Sequence, residues 1–280
     1  MRTVSVDLAI VRLDQSVSAV SVCGRGDLVA SGGGDGAVRV WNTDDGAGRY
    51  NFGGREGALH AVVFSPDDEA VLAAGDDRVV QLWRLEETAR AENLGGCDEA
   101  ISTLAASADG RFLVGGGWDS MVTVWSLRRR VELRRMEGHD GTVHAVAVSP
   151  DCRLAASAGE DGTVRLWDLE GGRLWRTLSG HEGPVSTVAF TPDGRSLLSA
   201  GKDTSIRLWD VRTGTSARVV KGHTRPVADV AIDRDGGAAV SVGGDGRARF
   251  WFLDWEPELQ VRGRWDDRVR PFLQVFLRRR

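Results

Sequence analysis

The sequence predicts an all-β protein assembled by repetition, and three observations carry that expectation. Trp41, Trp83, Trp125, Trp167, Trp209 and Trp251 stand 42 residues apart along the chain. Asp35, Asp77, Asp119, Asp161, Asp203 and Asp245 each precede one of them by six residues. Between these markers, short runs of Val, Ala, Leu and Ile are punctuated by Pro-Asp and Asp-Gly pairs, the pattern of brief strands joined by tight turns. Twelve residues on one ruler define an internal repeat, one supersecondary unit copied along the chain.

Taken in order, residues 3–10 read as a strand with Val4, Val6, Leu8 and Ile10 on one face. They align with the segments that follow each tryptophan, so they form an outer strand without a unit of its own. The fourth copy, His139 to Asp168, is the best preserved. It reads as strand 143–148, the turn Ser149-Pro150-Asp151, strand 154–158, the tight turn 159–162 and strand 163–169. Proline presets φ at the first turn and Asp151 bonds its own backbone. At the second, Asp161-Gly162 tolerates the positive φ that a two-residue hairpin needs. Residues 191–210 repeat the pattern. Outer-strand candidates follow every tryptophan, near 43–52, 85–94, 127–136, 169–178, 211–220 and 253–262, so the segment 3–10 makes seven for six inner sets. No stretch before residue 265 has helical period. In 265–280, Asp266 or Asp267 suits a cap, and Val269, Phe272, Leu273 and Phe276 follow at i, i+3, i+4 and i+7. Pro271 is acceptable there only within the first turn.

The pairs Gly138-His139, Gly180-His181 and Gly222-His223, with the Asp-Gly turn and the closing Trp-Asp, resemble the WD-repeat family. The resemblance covers residues 13–264 as units 13–54, 55–96, 97–138, 139–180, 181–222 and 223–264. It implies one β-propeller domain over 1–264, each unit a four-stranded antiparallel blade. In that family the ring usually closes when a strand from one terminus completes the blade of the other. Six blades are therefore expected, with 3–10 as the closing outer strand and 255–262 displaced; a seven-bladed ring is the alternative. The tail 265–280 is expected to be a short helix, either packed on its own propeller or docking a partner. With Leu253-Asp254-Trp255 it is similar to the ending of WD-repeat domains in bacterial multidomain signalling proteins, where the propeller follows a kinase, NTPase or similar effector.

The most tempting chemistry is Ser/His/Asp. His139, Ser157 and Asp161 recur as His181, Ser199 and Asp203, and again as His223, Ser241 and Asp245. A nucleophilic site needs one exposed hydroxyl, one base and one orienting carboxylate, and three copies at one period argue against it. The resemblance implies instead that these residues, with Trp167, Trp209 and Trp251, form structural hydrogen-bond tetrads. At the His position the first three units carry Leu13, Arg55 and Cys97; at the Ser position they carry Ser31, Ala73 and Gly115. No enzymatic activity and no cofactor are expected. His60 and His144 occupy equivalent places two units apart without a third ligand, so no metal is expected. The clusters Gly32–Gly34 and Gly115–Gly117 open no helix and are not phosphate loops. Asp233 to Gly236 lacks the remaining spacing of a calcium loop.

Composition narrows the partners. The chain has 280 residues, 41% hydrophobic and 27% charged, with a net charge of −4, which recruits neither nucleic acid nor an anionic membrane. Arg128, Arg129, Arg130, Arg134 and Arg135 are expected to coat one exposed strand. Cys23, Cys97 and Cys152 are odd in number and suit a reducing compartment. The N-terminus alternates apolar and polar residues and does not read as a signal peptide; no run approaches a membrane span. A cytoplasmic monomer is expected. In the WD-repeat family, partners most often sit where inner strands begin and where the residue before the turn aspartate projects. Those residues here include Asp76, Trp118, Glu160 and Lys202, with His60 and His144 at inner-strand starts. Trp118 reads either as an exposed anchor for a protein or peptide or as a ring folded over the third blade. The expected function is a non-catalytic interaction scaffold in bacterial signalling. The alternatives are the sensor segment of a longer kinase or NTPase-type protein, and a propeller with a small-molecule or enzymatic site in its channel.

Overall fold

Alternating apolar residues bounded by turn formers leave each unit one way to bury its faces: as a small twisted sheet stacked on its neighbours. The computed structural model describes residues 16–53, 56–85 and 90–253. Among them every regular element is a strand. The expected strand 3–10, the candidate 255–262 and the expected tail helix lie outside the described residues.

Blade 1 comprises β1 Val17–Val22, β2 Leu28–Gly33, β3 Val38–Asn42 and β4 Gly48–Phe52. Blade 2 comprises β5 Leu59–Phe64, β6 Ala70–Gly75, β7 Val79–Arg84 and β8 Ala91–Gly96. Blade 3 follows with β9 Ile101–Ala106, β10 Phe112–Gly117, β11 Val122–Ser126 and β12 Val131–Met136. Blade 4 is β13 Val143–Val148, β14 Leu154–Gly159, β15 Thr163–Asp168 and β16 Arg173–Ser179. Blade 5 is β17 Val185–Phe190, β18 Ser196–Gly201, β19 Ser205–Asp210 and β20 Ser216–Lys221. Blade 6 has β21 Val227–Ile232, β22 Ala238–Gly243 and β23 Ala248–Phe252, and is three-stranded among the described residues. Each sheet is an antiparallel meander in chain order.

Two local expectations are corrected. The turn Gly159–Gly162 is not a two-residue hairpin with two positive φ angles. Gly162 N–H donates to Gly159 O at 3.3 Å and only Gly162 has positive φ, 76°, the three-residue loop that ends in a left-handed residue. The outer strand of blade 4 begins at Arg173, not near 169. Asp168 ends the preceding strand in a tight turn, its carboxylate accepting from Glu170 N–H at 3.1 Å and Gly171 N–H at 3.0 Å.

The core lies between blades. Five apolar clusters fill the five successive junctions from blade 1 to blade 6. Their sockets are small residues: a β-carbon on Gly32 would lie 2.7 Å from Val62 Cγ2, and one on Gly116 would strike Val143. The knobs are the inner strands of the next blade. Each buried Val or Leu stabilises the fold by about 1.5–3 kcal/mol relative to exposure, so stability is distributed over many modest interfaces. Among the described residues, blade 6 and blade 1 do not pack on each other as the other neighbours do.

Candidate functional site

The β-hairpin of strands two and three places Ser157, Asp161 and Trp167 on one side of blade 4, and the loop before β13 brings His139 over them. His139 Nδ1 lies 3.0 Å from Asp161 Oδ2, its Nε2 2.7 Å from Ser157 Oγ, and Trp167 Nε1 2.8 Å from that same oxygen. A carboxylate only accepts and an indole N–H only donates. Nδ1–H therefore donates to Asp161, Trp167 N–H donates to Ser157 Oγ, and the serine hydroxyl donates to Nε2. That order requires a neutral imidazole. The set recurs at 2.9, 2.7 and 2.7 Å for His181 with Asp203, Ser199 and Trp209. The distances recur again at 3.0, 2.7 and 2.8 Å for His223 with Asp245, Ser241 and Trp251, but here Arg249 Nη1 also stands 2.7 Å from Nδ1, so the donor order at that nitrogen differs or is shared. Ser157, Ser199 and Ser241 are each 0% exposed, so none of these hydroxyls can meet a substrate. The three sets are rivets, not nucleophilic sites.

Electrostatics agree with that order. Burial pushes the His139 and His181 imidazoles below their ordinary pKa despite the facing carboxylates. Burial alone would raise the Asp161 carboxyl, but bonds from Thr163, from Asp140 N–H and from His139 outweigh it and hold the group at about 2. Asp203 is likewise held below the usual carboxylate range, burial opposing and Thr-equivalent Ser205 dominating the bonds that lower it. For Asp245, burial opposes and the His223 bond leads the groups that lower it, with Arg249 Nη1 pairing with its Oδ2 at 2.8 Å.

A pH dependence follows. Histidines whose folded pKa is depressed bind protons more readily in the unfolded chain, so stability falls as pH drops below about 6.5. The depressed aspartates add a second loss below about pH 4, where the unfolded carboxyls take up protons first. Calorimetry is expected to show the melting temperature falling between about pH 7 and pH 5, with a shallower fall in a His139→Gln/His181→Gln variant. A flat wild-type profile over that range would contradict neutral, buried imidazoles.

The first three units depart from the set. In unit one Arg39 Nη2 takes Asp35 Oδ2 at 2.5 Å. In unit three Cys97 Sγ stands 3.7 Å from Thr123 Oγ1, and burial pushes its thiol up to about 11, which makes it unreactive. Asp119 Oδ2 and Trp125 Nε1 are buried there with no hydrogen-bond partner among the described residues. A β-carbon on Gly115 would lie 2.8 Å from Cζ3 of Trp125: the indole has moved into the space a serine would need. Gly115→Ser is therefore expected to destabilise by about 1–3 kcal/mol through overpacking, although it restores the residue found in the intact units. Urea titration of that variant checks it.

At the end of the blades where inner strands begin, the structure brings three of the candidate partner-binding residues together. Trp118, in the β10–β11 turn, is 56% exposed. Its ring centroid lies 6.3 Å from that of His60, with 27° between the planes. His60 Nε2 is 2.7 Å from Asp76 Oδ1, while Asp76 Oδ2 accepts Ala58 N–H at 2.9 Å. The His60 bond, followed by the Ala58 bond, holds the Asp76 carboxyl below its ordinary pKa. Blade 2 thus props an aromatic side chain that belongs to blade 3, and Trp118 does not fold over its own blade. Glu160 and Lys202 are exposed at the equivalent turns of blades 4 and 5, and His144 is half-buried at the second residue of β13. Among the described residues, no hydrogen bond, ion pair or ring contact joins these three to the trio.

The sequence reading missed the charge around Trp118. Glu56, Asp98, Glu99 and Asp140, all exposed, join Asp76 and Glu160 on the loops of blades 2 to 4 at this end. Of the five arginines expected to coat one strand, two meet carboxylates: Arg130 pairs with Glu92, and Arg135 with Asp98 at 2.9 Å and Glu132 at 3.0 Å, while Arg134 Nη1 donates to Glu170 O at 2.6 Å. Among the described residues no group of three or more metal-ligating side chains is assembled.

Comparison with known families gives one result. The WD40 family model, described as WD domain, G-beta repeat, matches residues 11–42, 49–84, 90–126, 130–168, 172–210 and 214–251. From the second match on, each runs from an outer strand through the three strands of the next blade, so the sequence repeat ties neighbouring blades covalently. No curated protein matches the chain.

Proposed function

Because this chain belongs to the WD40-repeat family, whose propellers commonly mediate protein–protein interaction, we propose that it is a non-catalytic scaffold for a protein or peptide. The observation that carries the reading is Trp118, exposed yet supported by a ring from the preceding blade. Large aromatic side chains with little freedom left to lose dominate interface energies. The surrounding carboxylates favour a partner segment that carries Lys or Arg, because complementary charge speeds encounter and rejects acidic competitors. The indole face offers such a cation a further attraction of about 0.5–2 kcal/mol.

A bacterial signalling assembly is the setting we propose, supported by the likeness of Leu253-Asp254-Trp255 and the tail to WD-repeat domains of multidomain signalling proteins. Cys23, Cys97 and Cys152 are free, which suits a reducing cytoplasm. The test is affinity purification from the native host with wild type and Trp118→Ala side by side. A partner retained equally by both would remove Trp118 from the interface.

A further inference from the structure

The outer strands of blades 1, 3, 4 and 5 share a bulge at one position, held by Arg49, Leu133, Trp175 and Ala217. On blade 4 the pairing steps from Arg176, opposite Leu166, to Leu174, opposite Trp167, and leaves Trp175 out of the ladder. A bulged residue has its side chain re-aimed away from the regular pleat. Trp175 is accordingly 42% exposed, beside Leu174 at 41%. It follows the β15–β16 turn, so it lies at the end of the blades opposite Trp118.

The Trp175 ring is steadied by its neighbour. The guanidinium carbon of Arg176 sits 5.2 Å from the ring centre, within the range at which a cation is drawn to an aromatic face. Arg176 is itself pinned by blade 5. Its Nη2 donates to Arg212 O at 3.2 Å, and its stem lies where a β-carbon on Gly214 would strike Cδ. Arg173 and Arg212 stand exposed beside this pair. The neighbouring carboxylates are engaged within their own turns. Asp168 accepts Glu170 N–H and Gly171 N–H, and Asp210 accepts Thr213 N–H at 2.6 Å and Thr213 Oγ1 at 2.9 Å. Arg173 Nε reaches Asp168 Oδ2 at 3.3 Å with 79% of its side chain exposed, a pair that holds it weakly. Positive charge therefore faces outward around an exposed indole.

We infer that Trp175, with Arg173, Arg176 and Arg212, forms a second docking surface, whose occupant is an acidic segment of another protein with an apolar side chain set against the indole. Tryptophan and arginine are the residue types that most often anchor interfaces. The planar guanidinium matches a carboxylate with two parallel hydrogen bonds. A net charge of −4 sets the long-range field of the chain against a nucleic-acid polyanion, whereas a few carboxylates on a short segment meet the local arginines. The sign is opposite to that around Trp118, so each surface rejects the partner that suits the other. Placed at opposite ends of the blades, the two surfaces hold a basic and an acidic partner on one rigid body. This second surface does not rest on the reading of Trp118.

Fluorescence anisotropy with the full chain and a labelled synthetic peptide, Asp and Glu residues flanking a central leucine, tests the surface. Wild type is expected to bind the peptide saturably, with affinity that falls as salt rises. Trp175→Ala and Arg212→Glu are each expected to weaken binding about tenfold or more. Arg212→Glu keeps the backbone carbonyl that holds Arg176, so the test stays readable if Trp175→Ala disturbs the strand. Arg49→Glu, at the same bulge position on blade 1, is expected to bind as wild type does. No saturable binding by wild type, or equal affinity in wild type and either variant, would overturn the proposal. So would a single-stranded oligonucleotide that binds more tightly than the peptide and is lost in Trp175→Ala, since the surface would then take nucleic acid. A wild-type dimer in light scattering that Trp175→Ala dissociates would overturn it too, because a second copy would then be the occupant.

Discussion

Replacing Asp161 with alanine is expected to lower the melting temperature by roughly 10 °C. Its carboxylate accepts from Thr163 N–H at 3.0 Å, Thr163 Oγ1 at 2.8 Å, Asp140 N–H at 3.1 Å and His139 Nδ1 at 3.0 Å. Each buried donor left without an acceptor costs about 1–3 kcal/mol. Water can reach the two backbone donors, so the sum is nearer 3–5 kcal/mol, at about 2–4 °C per kcal/mol for a domain of this size. Asp119→Ala is the control. Asp119 occupies the same position in unit three, but among the described residues it accepts only Met121 N–H, at 3.0 Å, and its Oδ2 has no partner. Its loss is expected to cost about 1 kcal/mol or less. Calorimetry on both variants decides the matter: equal melts would mean that the hydrogen-bonded set adds nothing beyond its turn.

Trp118→Ala is expected to weaken partner binding by at least about thirtyfold, the ~2 kcal/mol typical of an aromatic hot spot. Its melting temperature is expected to change little, because the side chain is 56% exposed. His60→Ala is expected to weaken binding less, since it frees the indole to rotate without removing it. Isothermal titration with the captured partner separates the two effects. If binding survives in Trp118→Ala while Lys202→Glu or Glu160→Lys abolishes it, the contact lies on blades 4 and 5 and the anchor is misplaced.

The intact sets were legible along the chain because all four residues fall on the repeat ruler. His139, Ser157, Asp161 and Trp167 lie within one unit, and their chemistry admits one order of donors and acceptors. The turn geometry at Gly162 was harder to read: Asp-Gly is shared by two hairpin types, and the register of β14 against β15 selects between them. The acidic surroundings of Trp118 were hidden because Glu56, Asp98 and Asp140 come from three different units that only the blade arrangement gathers at one end.

Unit number, the inner strands and the threefold recurrence of His, Ser, Asp and Trp came from the 42-residue ruler, since alternation and turn chemistry act between residues close in the chain; that the four residues bond as a set was implied by the resemblance to the WD-repeat family. Packing between blades decided the remainder. Trp125 lies in the space that Gly115 leaves, and Trp118 leans on His60 of the neighbouring blade. Each of these depends on the shapes of two faces that meet only after separate sheets have stacked, and a pattern within one unit cannot encode the surface of another.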